Sequence, residues 1–347
     1  MSTETIRKTK VVCFGEIMLR LATMNNERIL QAEQFGVSYG GSESNVAIAL
    51  ANYGFEVAHV TCVPENMLGE SVVRDLRKNN VSAEHVLRCG SRLGTYYLEV
   101  GRSCRGSQVI YDREGSSFAE APVGKVDWDK VFEGAEWFHF SGISPAVSEA
   151  AYRWTLEALQ AAKRNQVKIS IDLNYRAQLW NWGKSAEEVL QELLRSCDLV
   201  MGNEEHMRSL LGVEVEPGTA ADDLEYLEKV CDKTRLIYPN LETVALSIRK
   251  GTSASHNWIS AVIAHRGEFY STSEVSIPDI VDRVGGGDAT TAGLIAGMLT
   301  YDDPQQALDF AVASGALKHT IHGDYSLASF DEVEAFAAGQ NPARVMR

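Results

Sequence analysis

No run of about 18 apolar residues occurs anywhere in the 347-residue chain, so a membrane-spanning helix is not expected. The first ten residues, MSTETIRKTK, are polar and lack the apolar core of a signal segment, which makes the cytoplasm the expected location. A net charge of −14 argues against a nucleic-acid partner, while a phosphorylated ligand stays compatible because its binding depends on local fields. The six cysteines, Cys13, Cys62, Cys89, Cys104, Cys197 and Cys231, include no CxxC pair and no short His/Cys spacing. That pattern argues against a zinc site or disulfide framework and makes reduced thiols the simpler expectation. Two nucleotide fingerprints are absent as well: no GxxxxGK[ST] occurs, and no GxGxxG follows the first apolar run. A bound nucleotide therefore requires another architecture. Neither an internal repeat nor a low-complexity segment is present.

What the chain does contain is an alternation of short apolar runs and amphipathic segments. VVCFG (11–15), EVAHVTCV (56–63), VKISIDLN (167–174), CDLVMGN (197–203) and TVALSI (243–248) read as buried strands. GSESNVAIALANYG (41–54) reads as a helix, with Ser42 or Ser44 available as a cap and Gly54 at the C-terminal end. Buried strands alternating with helices predict an α/β fold with a mostly parallel sheet covered on both faces. Between about residues 92 and 120 the texture changes to short alternating strands separated by glycine turns. Together with residues 16–38 this predicts a small antiparallel lid inserted into one domain that spans 10–347.

In such a sheet, ligands bind beyond the carboxyl ends of the strands. The residues to read there are Gly15-Glu16, Gly142-Ile143, Asp172 to Arg176, Gly202 to Glu205, and the stretch DRVGGGDATTAG (282–293). Gly285, Gly286 and Gly287 lead into a helical segment, and free N–H groups at a helix start make an anion site. Asp288, directly after them, is either a base beside that anion site or a plain helix cap.

YGGSESNVAIALANYG (39–54) resembles the N-terminal signature of the ribokinase-like (PfkB) carbohydrate kinases, and DRVGGGDATTAG resembles their C-terminal signature, usually GAGD. The two stand in the expected order over residues 10–340. DLNYRAQLW, IYDREGSSFA, GNEEH and LKHTIHGDYSL are similar to segments of the 2-keto-3-deoxygluconate kinase subfamily. The resemblance implies a three-layer, Rossmann-like core with a β-sheet lid, Mg²⁺ and ATP as cofactors, and phosphorylation of a sugar acid. It implies Asp288 as base and Gly285, Gly286 and Gly287 as the hole for the transferring phosphoryl group. Gly40, Gly41, Asn45, Tyr96, Tyr111, Arg113, Ile143, Arg176 and Asp324 become the substrate contacts. Arg113 and Arg176 are the natural partners of a substrate carboxylate. Asn203, Arg249 and Gly251 fall on the nucleotide side, and Glu204 or Glu205 near magnesium. The lid strands also present edges, so a homo-oligomer, dimer or larger, joined through the lid is expected. A neutral-sugar kinase of the same fold and a catalytically silent sugar-acid sensor are the alternatives.

Several of these residues have plainer readings. Asn203 suits a helix cap, Arg113 a solvated turn, and Trp180 and Trp182 packing. Tyr96 and Tyr97 alternate in a strand, so only one of them can face a ligand. Thr290 departs from the family, which carries an aromatic there.

Overall fold

The computed structural model describes residues 9–216 and 223–340. The polar N-terminal segment up to Lys8, the last seven residues of the expected domain and the start of the acidic stretch ADDLEYLEK lie outside them. From Asp223 onward that stretch is a helix, with Asp223 as its N-cap.

Among the described residues the strands, in chain order, are β1 (Lys10–Phe14), β2 (Met18–Thr23), β3 (Phe35–Gly40), β4 (Glu56–Val63), β5 (Val81–Ser82), β6 (Val86–Arg88), β7 (Thr95–Glu99), β8 (Gln108–Asp112), β9 (Ala135–Ser141), β10 (Lys168–Asp172), β11 (Leu199–Gly202), β12 (Thr243–Ser253), β13 (His256–His265), β14 (Glu268–Ser271) and β15 (Val275–Ile277). The main sheet runs β14-β13-β12-β11-β10-β9-β1-β4-β5, with β15 beside β13 and β6 beside β4. Pairing from β12 through to β5 is parallel, and β13 to β15 add an antiparallel edge.

The helices are α1 (Ser42–Asn52), α2 (Met67–Lys78), α3 (Trp128–Phe132), α4 (Ile143–Ala146), α5 (Glu149–Arg164), α6 (Ala186–Leu194), α7 (Glu204–Leu211), α8 (Leu224–Ile237), α9 (Gly286–Thr300), α10 (Pro304–Lys318) and α11 (Phe330–Ala337). They cover both faces of the sheet, as β1 shows most simply. Its Val12 and Phe14 join one apolar core with α5, α6 and α8, whereas Val11 and Cys13 join a second with α1, α9 and α10. Successive strand residues point to opposite faces, so a strand apolar throughout must be buried on both.

The lid is a separate four-stranded sheet, β3-β2-β7-β8. β2 with β3 and β7 with β8 pair antiparallel, while the central β2–β7 pairing is parallel. β3 and β8 are its edges and carry exposed Val37, Val109 and Ile110, the surface relevant to the expected pairing of subunits.

One expectation fails here. Cys62 and Cys89 are joined by a disulfide, with Cα atoms 6.4 Å apart, instead of both being reduced. The parallel β4–β6 register sets Cys62 beside Leu87, and Cys89 N–H donates to the Val63 carbonyl at 3.0 Å. Strand pairing thus brings together two cysteines 27 positions apart that no motif connects. The other four are free thiols.

Among the described residues, no helix is long and apolar enough to cross a membrane.

Candidate active site

Polar residues that follow β10 and β11 line one cavity together with the N-terminus of α9. Gly285 is the N-cap of α9 and adopts the left-handed region at φ 82°, which favours glycine. A Cβ there would also overlap the Asp324 main-chain oxygen. At Gly286 a Cβ would overlap the His319 ring, whereas at Gly287 it would meet nothing. The glycine run is therefore closely backed on one side and open on the other.

Asp288 is buried and does not cap its helix. It accepts hydrogen bonds from Ser42 Oγ at 2.8 Å and Asn45 Nδ2 at 2.7 Å, both at the start of α1. Asn174 Nδ2, from the loop after β10, donates in turn to Ser42 Oγ at 2.8 Å. The cap of α1 also differs from expectation, since Gly41 takes that place and Ser42 is spent on Asp288. Gly41 N–H donates to Asn45 Oδ1 at 3.3 Å, so Asn45 ties the first glycine pair to the acid of the second signature. Burial raises the Asp288 carboxyl above its ordinary range, opposed by the Asn45 and Ser42 donors.

A second carboxyl, Asp172 at the end of β10, is pushed up to about 7 by burial and then by the charge of Asp288. This has a sign. Between the ordinary carboxyl value of 3.8 and about 7 the native protein holds a proton on Asp172 that the unfolded chain has released. The native state then binds more protons, so stability falls as pH rises through that window. Thermal unfolding of the ligand-free protein should show this decline, and Asp172→Asn should make it shallower. Asp288, Asp324 and Glu43 are raised by burial in the same sense, so some slope stays. An unchanged slope in the variant contradicts the assignment.

Beside the open face of the glycines lies a cavity of about 430 Å³. Gly286, Gly287 and Thr290 form part of its wall, with Asn174 and Arg176 after β10, Asn203, Glu204 and Glu205 after β11, and Arg249 on β12. Asn203 is the N-cap of α7, accepting from His206 N–H at 2.7 Å, as its plain reading holds, and it lines the cavity as well. Glu204 Oε2 is buried without a partner. Gly251, grouped by sequence with the nucleotide residues, is exposed on β12 and outside the cavity wall. Thr290 Oγ1 donates to the Gly286 carbonyl at 3.0 Å, and a Cβ at Gly315 of α10 would overlap that hydroxyl. Close packing of α10 is what the threonine permits in place of an aromatic.

On the other side of Asp288 the lid meets the core. Tyr96 is the buried member of its pair and donates to Asp324 Oδ2 at 2.5 Å, while Tyr97 stacks edgewise on Phe35. Gly40 presses against Asp324, where a Cβ would overlap the carboxylate. Arg113 is buried, not a solvated turn residue. Its Nε donates to Glu16 Oε2 at 2.8 Å, Nη2 bonds the same oxygen, and its guanidinium lies 5.9 Å from the Tyr111 ring centroid. Ile143 opens α4, and its N–H donates to Ser141 Oγ at 3.2 Å. Arg176 sits apart from this group, on the cavity wall with Arg249.

Three participants, Arg20, Glu16 and Glu43, went without a role in the sequence reading. Arg20 on β2 pairs with both Asp282, at 2.5 Å, and Asp324. Glu16 holds Arg113 and keeps Oε1 buried without a partner. Glu43 Oε1 accepts from Ser141 N–H at 3.0 Å, Ser141 Oγ at 2.7 Å and Ser144 Oγ at 2.6 Å, fixing α1 to the loop after β9. The position of Glu16 right after a strand was the one available signal; Arg20 lacks even that.

The profile of the pfkB family of carbohydrate kinases matches residues 8–329. The chain belongs to that family. A Haloferax volcanii 2-dehydro-3-deoxygalactonokinase is 31% identical, over 95% of this chain and 97% of that one. A Bacillus subtilis 2-dehydro-3-deoxygluconokinase is 25% identical, over 96% and 97%. The crystal structure of 2-dehydro-3-deoxygluconokinase from Thermotoga maritima superposes with a TM-score of 0.91, at 40% identity, covering 95% of this chain and 100% of that one. As a member of the pfkB family the protein is an enzyme, a phosphotransferase with an alcohol group as acceptor. Its large, mostly parallel sheet with a small separate one is the ribokinase-like arrangement.

Proposed function

We propose that the protein transfers the γ-phosphoryl group of ATP to 2-dehydro-3-deoxy-D-gluconate, giving 2-dehydro-3-deoxy-6-phospho-D-gluconate. The observation that carries the sugar-acid part is Arg113. It is buried among lid and core residues, and Glu16 occupies its Nε and Nη2, leaving Nη1 for an outside acceptor. A substrate carboxylate suits that remaining edge, because guanidinium pairs with carboxylate in a directed fork. The names of the relatives point the same way.

Phosphoryl transfer requires positioning and charge stabilisation more than covalent chemistry. Asp288 lies between the two halves of the site, where it takes the proton of the attacking hydroxyl. Its raised pKa favours holding that proton once taken. The amides of Gly286 and Gly287, on the open side of the helix start, accept the charge on the transferring group. Arg176 and Arg249 on the cavity wall serve the phosphates, so Arg176 acts on the nucleotide rather than on the sugar carboxylate. The cavity fits a magnesium nucleotide, since Glu204 leaves a buried carboxylate oxygen unpartnered there and Glu205 stands beside it. Glu204 and Glu205 would hold the ion, whose role is to neutralise phosphate charge. Tyr96, Tyr111, Asp324, Gly40, Gly41, Asn45 and Ile143 enclose the sugar.

The test is ADP release measured over a panel of 2-dehydro-3-deoxygluconate, its galactonate isomer, fructose and ribose. Higher kcat/KM on the keto-acids is expected. Arg113→Ala should raise KM for the keto-acid by on the order of tenfold or more, as loss of a charged hydrogen bond does, and change neutral sugars little. Faster turnover of fructose or ribose by the unaltered enzyme contradicts the proposal.

A further inference from the structure

Lys318, the last residue of α10, is fully buried, with no exposed surface. Lysine is almost never buried so completely unless its charge is met. Here the partners are two main-chain oxygens. Nζ donates to the Asp282 carbonyl at 3.1 Å and to the Ile321 carbonyl at 3.2 Å. Asp282 opens the glycine stretch, and Ile321 lies in the loop after α10 that leads to Asp324.

The two loops are bound to each other around this ammonium. Val281 N–H donates to the His319 carbonyl at 2.8 Å, and Gly323 N–H to Asp282 Oδ2 at 3.2 Å. Asp282 Oδ1 accepts from Val284 N–H at 3.1 Å, one residue before the N-cap of α9. Gly285 itself rests against the Asp324 main-chain oxygen. These links tie Lys318 to the loop that leads into the anion cradle, and Lys318 is not among the residues that line the cavity. Burial lowers the Lys318 ammonium below its ordinary value and Arg20 acts in the same direction, while the charges of Asp282, Asp324 and Asp288 oppose them.

Carbonyl oxygens from two loops converging on a buried charge form the donor set that bare potassium takes when it sheds its water. An ammonium group is close to potassium in size and carries the same charge. We propose that Lys318 is a built-in monovalent cation for the phosphoryl cradle. It is a positioning residue: it fixes the loops from which the Gly286 and Gly287 amides project, and it supplies fixed positive charge close to them in a region of low dielectric. The enzyme accordingly has no need of a free monovalent ion for turnover. This rests on the phosphotransfer reading of the cradle and not on which sugar is the acceptor.

The experiment compares the unaltered enzyme and Lys318→Met in sodium, potassium and ammonium chloride at one ionic strength, on whichever sugar the panel shows to be phosphorylated. A protein that prefers a neutral sugar therefore fails the substrate reading and leaves this comparison intact. The unaltered enzyme should vary by less than about twofold among the salts. In sodium, Lys318→Met should lose on the order of 10²-fold in kcat, the scale of one lost oxyanion-hole interaction, with a much smaller change in sugar KM. Potassium or ammonium should restore at least about tenfold of that loss, by refilling the carbonyl site. A purely structural lysine gives no such recovery. Thermal unfolding shows which variants fold, and Lys318→Gln replaces the methionine variant if that one does not. Strong potassium activation of the unaltered enzyme overturns the proposal. So does a folded variant with undiminished turnover in sodium, or one whose lost turnover no cation restores.

Discussion

Asp288→Asn is expected to lower kcat by on the order of 10² to 10⁴-fold, the range for removal of a general base. Two features make this a chemical rather than a structural loss. Asparagine keeps the shape and one acceptor oxygen, so either Ser42 or Asn45 can still donate to it. The lost property is the ability to take a proton from a hydroxyl. Sugar and nucleotide affinity, measured by calorimetry, should therefore change little while kcat and kcat/KM fall together. Near-normal turnover would remove Asp288 from the chemistry and leave the proton of the attacking hydroxyl to another group.

Arg20→Met is expected to carry the largest cost in stability. Arg20, Asp282 and Asp324 have side chains about equally buried, at 4% exposure, and Arg20 is the cation shared by both acids. Removing one partner of a buried pair leaves uncompensated charge and typically costs about 3–5 kcal/mol. Neutralising an acid at the same time should recover part of this, so Arg20→Met with Asp282→Asn should lose less than the two single changes summed. The effect reaches the site as well. Asp324 lies against Gly40 and Gly285, and Arg20 belongs to the lid, so the pair fixes lid to core where the sugar binds. Chemical denaturation measures the first effect, and sugar KM the second. A loss below about 1 kcal/mol, the value of an exposed pair, would show that the cluster is solvated in solution.

How much of this was legible beforehand follows from distance along the chain. Strand ends and the glycine run are local signals: an apolar run stopping at a polar residue marks a strand's end, and three glycines before a helical segment mark an open helix start. Asn45 and Asp288, 243 positions apart, were joined only by resemblance to a family in which both signatures occur. Arg20 had no such aid. Its partners are 262 and 304 positions away, and in sequence it is one arginine on an alternating strand. Arg113 was singled out for a substrate carboxylate, yet the carboxylate it already holds is Glu16, noted at first only for following β1. Cys62 and Cys89 were hidden for a similar reason, since strand register and not spacing brings them together. Thr290 looked like a defect in the signature until α10 supplied its neighbour, Gly315.

Asn203 makes a different point. The plain and the functional readings were set against each other, but one side chain caps α7 while the same residue lines the cavity. A capping residue at the end of a parallel strand stands where ligands bind, so the two roles do not compete.

The most direct test of the central claim, that Asp288 is the base between a sugar acid and the phosphoryl donor, is a crystal structure with 2-dehydro-3-deoxygluconate and a non-hydrolysable ATP analogue. The account predicts the terminal hydroxyl of the sugar about 2.6–3.2 Å from an Asp288 oxygen, the reach of a general base. It also predicts the γ-phosphate over the Gly286 and Gly287 amides and the sugar carboxylate at Arg113. A hydroxyl turned away from Asp288, with the phosphate seated elsewhere than over those glycines, would contradict it.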